Sequence, residues 1–116
     1  KYFFFLKISI NILINSKYII SQEKIKMGKL KTALIIIDIQ DVYFPGRMLP
    51  LYQPEKAALN GQKILHASRE ENILVIHVKH NASTGAEIHE LVKPLKEDKV
   101  ISKDKANAFI GTDLLY

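Results

Sequence analysis

Asp38 and Lys103 are the residues whose type and setting best suit acid–base chemistry. Asp38 closes the apolar run "TALIIID" at 32–38, and Lys103 closes the shorter run "KVISK" at 99–103. A carboxylate beside a buried strand is costly unless it is paired or hydrogen-bonded, so it calls for a partner or a task. A lysine held against it would stabilise the carboxylate and present a charge to a reacting group. The plainer readings stay open on pattern alone: Asp38 as the cap of a loop, and Lys103 as a solvated surface lysine.

Other chemistries find less support. An apolar strand ending in aspartate also opens phosphatases of the haloacid-dehalogenase type. Those need a second aspartate two residues on, where this chain has Gln40, and Asp41 comes one residue too late to point the same way. No phosphate-binding loop is present, because Gly46, Gly61, Gly85 and Gly111 each stand alone. His77 and His80 are three apart, which sends them to opposite faces of an extended strand, while His66 and His89 lie elsewhere. No metal site is expected from them, although His80, just past a strand, could line a pocket at the sheet edge.

The elements that must position Asp38 and Lys103 follow from hydrophobic patterning. Residues 32–39 are apolar and β-branched without alternation, as in a strand covered on both faces. "DVYFPGRMLPLYQ" carries two prolines and a glycine and reads as a loop. Pro54 opens a predicted amphipathic helix with Ala57, Ala58, Ile64, Leu65 and Ala67 toward one face and a weak spot at Asn60-Gly61. A second buried strand is predicted at 73–78, a short helical turn within "EIHELVKPL", a third strand at 99–102, and a further helix beginning near Thr112. Strand, crossover helix and strand make a βαβ unit. The fold class expected is therefore α/β, a doubly wound parallel sheet with helices on both faces in a three-layer αβα arrangement, incomplete at its C-terminus. In such sheets ligands gather at the carboxyl ends of the strands, where Asp38 and Lys103 both fall.

Composition sets the outer bounds. The 116 residues are 47% hydrophobic and hold no cysteine, which leaves no disulfide, thiolate metal site or thiol nucleophile among them. Of the net charge of +5, residues 1–26 carry +4 and residues 27–116 only +1. The second part is nearly neutral, so no nucleic-acid partner is expected. Residues 1–26 are drawn largely from Phe, Ile, Lys, Asn and Tyr, the residues of AT-rich codons, and the first methionine is Met27. They are expected to be a leader outside the domain, which is assigned to 27–116. Their apolar run is broken by Lys7, Asn11 and Asn15 and lacks the small-residue cleavage site of a secretory signal. No membrane association is expected unless that leader is real.

Two stretches resemble a known family. "ALIIIDIQDVYFPG" resembles the opening of the isochorismatase-like cysteine hydrolases, which include nicotinamidases: an apolar strand, D-x-Q, a polar pair, an aromatic pair and Pro-Gly. "VISKDKANAFIGTDL" resembles their K-x-x-x-S/N-A-F-x-G-T-x-L stretch, and "EIHELVKPL" the segment before their third strand. The resemblance covers about residues 30–116 and implies the N-terminal half of such a domain. It implies that Asp38 and Lys103 are catalytic and that Gln40, Tyr43, Phe44 and Phe109 line a substrate pocket. The family's aspartate takes a proton from a cysteine that attacks an amide carbonyl. That cysteine would lie beyond residue 116, so this chain alone is expected to be inactive. Without a cysteine, the same pair would serve the vinyl-ether hydrolysis of true isochorismatases; a non-catalytic binding module or a decayed gene remnant is the remaining alternative. The resemblance further implies a small-molecule substrate, no cofactor, a cytoplasmic location and a homo-oligomer. Asp41 and Val42 replace a common Asn-Asp, Arg47 stands where a second glycine is frequent, and "HVKHNAS" lacks the D-x-H spacing of the metal-binding members.

Overall fold

The computed structural model describes residues 5–9 and 32–114, which form one sheet with a helix on one face. Strand β1 spans Phe5–Ser9, β2 Thr32–Ile37, β3 Leu74–His80 and β4 Lys99–Lys103, in the spatial order β1-β2-β3-β4. β2, β3 and β4 are parallel, while β1 runs antiparallel to β2, with Phe5 opposite Ile36 and Ser9 opposite Thr32. The βαβ unit and the third strand thus follow the expectation, and β1 makes the sheet mixed at that edge. Most of the segment 1–26 lies outside the described residues, so its reading as a leader rests on composition.

Helix α1, Pro54–Glu70, is the crossover between β2 and β3. Proline at its first position costs no hydrogen bond there. It ends where Asn72 takes a left-handed φ of 52°. The Asn72 N–H then reaches the Arg69 carbonyl and the Ile73 N–H the Ser68 carbonyl, the paired bonds that close a helix end. The buried face is Ala58, Gly61, Leu65 and Ser68, whereas Ile64, expected inside, is 41% exposed. Gly61, the expected weak spot, thus lies on the buried face of the helix.

The sheet buries apolar side chains on both faces. Leu34, Ile36 and Val75 face α1 together with Ile39, Phe44, Ala58, Leu65 and Val92. Ile35, Ile76, Val78 and Ile101 face the other way and are covered by Ala108 and Leu114. α1 is the one α-helix among the described residues. The second face is covered by turns in 104–114, and the helix expected to begin near Thr112 falls largely outside the described residues. The Asn107 side chain accepts from the Phe109 N–H, the Thr112 hydroxyl donates to the Ala108 carbonyl, and Gly111 adopts φ 71°. Such side-chain bonds to main chain hold these turns locally.

A second short ladder braces the carboxyl end of the sheet. Residues 85–89 run beside 39–42: the Val42 N–H donates to the Gly85 carbonyl, Asp41 N–H to Glu87 and His89 N–H to Ile39, around an antiparallel bridge between Gln40 and Ile88. Gly85 has φ 67°, and a Cβ there would stand 3.0 Å from the Val42 backbone. Gly46 has φ 75° and open space around it. Gly46→Ala is therefore expected to cost about 1 kcal/mol, the left-handed penalty alone. Gly85→Ala adds a clash with backbone and is expected to cost about 2–4 kcal/mol. Urea unfolding of the two variants checks the difference, and equal midpoints would refute the close contact.

Candidate functional site

Register brings the two sequence-predicted reactive residues to one end of the sheet. Ile37 pairs with Val78 and His80 with Lys103, so β2, β3 and β4 finish side by side. Asp38 leaves the ladder with φ 60° while its N–H still donates to the Val78 carbonyl at 2.9 Å. A non-glycine residue in that region is uncommon, Asp being among the few that tolerate it. The twist ends the strand and frees the carboxylate from the sheet's alternation.

β2 and β4 are separated by β3, a gap of about two interstrand spacings of 4.7–4.9 Å. The long lysine side chain crosses it. Lys103 Nζ lies 2.9 Å from Asp38 Oδ2, with side-chain exposures of 1% for Lys103 and 22% for Asp38. The ammonium also lies 3.3 Å from the Lys105 carbonyl and 3.4 Å from His80 Nδ1. Asp38 Oδ1 is buried and has no hydrogen-bond partner among the described residues. A buried acceptor left so costs free energy unless a reacting group completes it.

The four residues expected to line a pocket have different places. Gln40 is fully buried, and its amide is taken up by backbone: Oε1 accepts from the His80 N–H at 2.7 Å, and Nε2 donates to the carbonyls of His80 at 2.9 Å and Ala86 at 2.8 Å. Tyr43 is buried beside the pair. Burial raises its phenol above the usual value, the Asp38 charge raises it further, and Lys103 works against both. Phe44 belongs to the core on the α1 side and stacks on His89 with ring centroids 3.9 Å apart. Phe109 is 41% exposed on the turns covering the opposite face.

Sequence reasoning missed the polar network on the α1 side. Asp98 Oδ2 meets Arg69 Nη2 at 2.6 Å, the Leu95 N–H at 2.8 Å and His77 Nε2 at 3.3 Å. His77 points away from His80, as their spacing requires. Burial lowers the His77 pKa from the ordinary 6.5, outweighing the raising effect of Asp98. Burial alone would raise Asp98, but the Leu95 N–H and the Arg69 guanidinium outweigh it and hold the carboxyl below its usual value. For both groups the folded state binds fewer protons than the unfolded one, so stability rises with pH. The His77 contribution is complete above about 6.5 and is lost as pH falls below it; that of Asp98 is lost only below the ordinary carboxylate range. Urea midpoints are expected to fall between about pH 7.5 and pH 5. His77→Phe should flatten that slope, and an unchanged slope would show that His77 does not set it.

Among the described residues no group of three His, Asp or Glu could hold a metal ion, and no helix is long and apolar enough to cross a membrane.

Comparison with known proteins identifies the family and the fold. The Isochorismatase domain family matches residues 32–115. The uncharacterized isochorismatase family protein YddQ of Bacillus subtilis is 43% identical over 94 residues, covering 72% of this chain and 52% of that one. A protein described as an isochorismatase hydrolase from Oleispira antarctica superposes with a TM-score of 0.67 at 34% identity, covering 70% of this chain and 50% of that one. An isochorismatase from Pseudomonas putida gives 0.64 at 32%, covering 70% and 46%. The chain thus spans about half the length of these relatives. One expectation is corrected: placement among the cysteine hydrolases conflicts with a sequence that has no cysteine at all, so no thiol of this chain stands against Asp38.

Proposed function

The chain belongs to the isochorismatase family, and from that membership we propose that it carries the aspartate–lysine part of a hydrolase site acting on a small molecule. The observation that carries this reading is the 2.9 Å contact between buried Lys103 Nζ and Asp38 Oδ2, with Oδ1 uncommitted among the described residues. A carboxyl so held can pass a proton through Oδ1, while the ammonium compensates the charge left when the proton departs. Asp38 and Lys103 are the catalytic residues in this reading, and Tyr43 borders the substrate. Gln40 positions the site through the backbone; Phe44 acts through the core, and Phe109 meets a substrate only at the outer rim.

Vinyl-ether hydrolysis, the isochorismatase-type reaction, is the reading placed ahead of amide hydrolysis, because the acid it needs is a group this chain itself carries. Asp38 would protonate the terminal vinyl carbon. Water adds to the resulting oxocarbenium ion and returns a proton to the carboxylate. The hemiketal then breaks its C–O bond, giving an alcohol and a carbonyl compound, with one water consumed.

The remaining features are proposals of the same kind. The whole protein would complete a three-layer αβα domain of which this chain is the N-terminal half. It would act in the cytoplasm as a homo-oligomer, with neither nucleic acid nor metal as partner. The test is an assay of the natural gene product on a vinyl ether, followed by appearance of the carbonyl product, beside a small amide followed by ammonia release. Turnover of the vinyl ether alone supports the reading. Turnover of the amide alone overturns the choice of bond, and turnover of neither overturns the hydrolase assignment.

A further inference from the structure

Lys103 has three ammonium protons and three acceptors within 3.4 Å: Asp38 Oδ2, the Lys105 carbonyl and His80 Nδ1. A lysine ammonium donates and never accepts, so the imidazole nitrogen facing it must offer a lone pair. A donating Lys103 in this contact requires the His80 tautomer with Nδ1 as acceptor and the proton on Nε2. The main chain that carries the ring is held, since Gln40 grips the His80 N–H and carbonyl and the Asn81 N–H donates to the Lys103 carbonyl at 2.9 Å. Register contributes too, because His80 and Lys103 are direct partners across β3 and β4.

We propose that His80 is a positioning residue: as the Nε2–H tautomer it is one leg of a tripod of acceptors that aims the Lys103 ammonium at Asp38 Oδ2. The other legs are fixed, one being main chain and one the reacting carboxylate. His80 is the leg that lies outside the aspartate–lysine pair and can be replaced without removing either member. Its effect on turnover rests on the reading of Asp38 as the acid–base group; its effect on Lys103 does not.

The test has a spectroscopic arm and a kinetic one. In the unaltered protein, two-bond 1H–15N spectra should show the His80 proton on Nε2, and the Lys103 ammonium protons should exchange slowly enough to be observed. His80→Asn places an amide oxygen near the position of Nδ1 and should keep the Lys103 signal. His80→Leu should lose it while the backbone amide spectrum stays native. In the natural gene product, His80→Leu should lower kcat roughly 10- to 100-fold with little change in KM, and His80→Asn should recover most of the loss. A proton found on Nδ1 of His80 overturns the proposal even if no variant folds, as does a Lys103 signal unmoved in His80→Leu. If the spectra behave as stated but no hydrolysis is found with any substrate, the tripod stands and the hydrolase reading falls.

Discussion

Asp38→Asn and Lys103→Met are each expected to lower turnover by the natural gene product roughly 100- to 10,000-fold, the range for removing a positioned acid–base group or its charge partner. The two should differ in stability. Removing Lys103 leaves a carboxylate that is 22% exposed and keeps some contact with water. Removing the Asp38 charge leaves an ammonium that is 1% exposed without its carboxylate, beside the neutral acceptors of the Lys105 carbonyl and the His80 ring. Breaking a fully buried pair costs about 3–5 kcal/mol. The aspartate variants should approach that range and Lys103→Met should fall below it. Backbone strain separates the aspartate variants further. Asn and Gly tolerate φ 60°, but Ala does not, so Asp38→Ala should unfold about 1 kcal/mol more easily than Asp38→Gly. Initial rates and urea midpoints on the same four proteins check all of this. Near-normal turnover by Asp38→Asn would remove Asp38 from the chemistry.

The partnership of Asp38 and Lys103 was legible before any coordinates because parallel strands share a direction. Two polar residues that each end an apolar run must come to one edge of the sheet, whichever strand lies between. What could not be read was set by pairing register, which leaves no trace in one strand's own pattern. That His80 stands opposite Lys103, and that Gln40 lies against the His80 peptide, depends on how β3 slides along β2 and β4. The resemblance placed Gln40 in a pocket by its motif, whereas the geometry takes up its whole amide on main chain. The Arg69–Asp98–His77 network was hidden for a similar reason, since its members come from α1, the segment before β4 and the middle of β3. Sequence spacing did separate His77 from His80, because two-residue alternation is local.

Gln40→Ala is expected to be the most destabilising single polar substitution in the described part of the chain, at about 3–5 kcal/mol. One side chain satisfies three main-chain groups, the His80 N–H and the carbonyls of His80 and Ala86. Leaving a buried polar group unpaired costs about 1–3 kcal/mol each, and truncation opens a cavity besides. The costs do not add fully, because a loosened strand end lets water reach part of the gap. Gln40→Glu separates polarity from size. It keeps the volume but turns the donating nitrogen into an oxygen facing two carbonyls, which a carboxylate repels and a carboxylic acid can join with one O–H. Its folded pKa should therefore lie above that of a free glutamate, about 4.3. The folded state then binds more protons, so the variant should gain stability relative to the unaltered protein as pH falls toward that value. This slope is opposite in sign to the one expected from His77. Urea midpoints at two pH values separate the cases, and a Gln40→Ala variant within about 1 kcal/mol of the unaltered protein would show that water serves these groups as well as the amide does. Should the larger loss be found, the site is braced from below. The amide holds the His80 main chain, that residue's ring meets Lys103, and Lys103 meets Asp38.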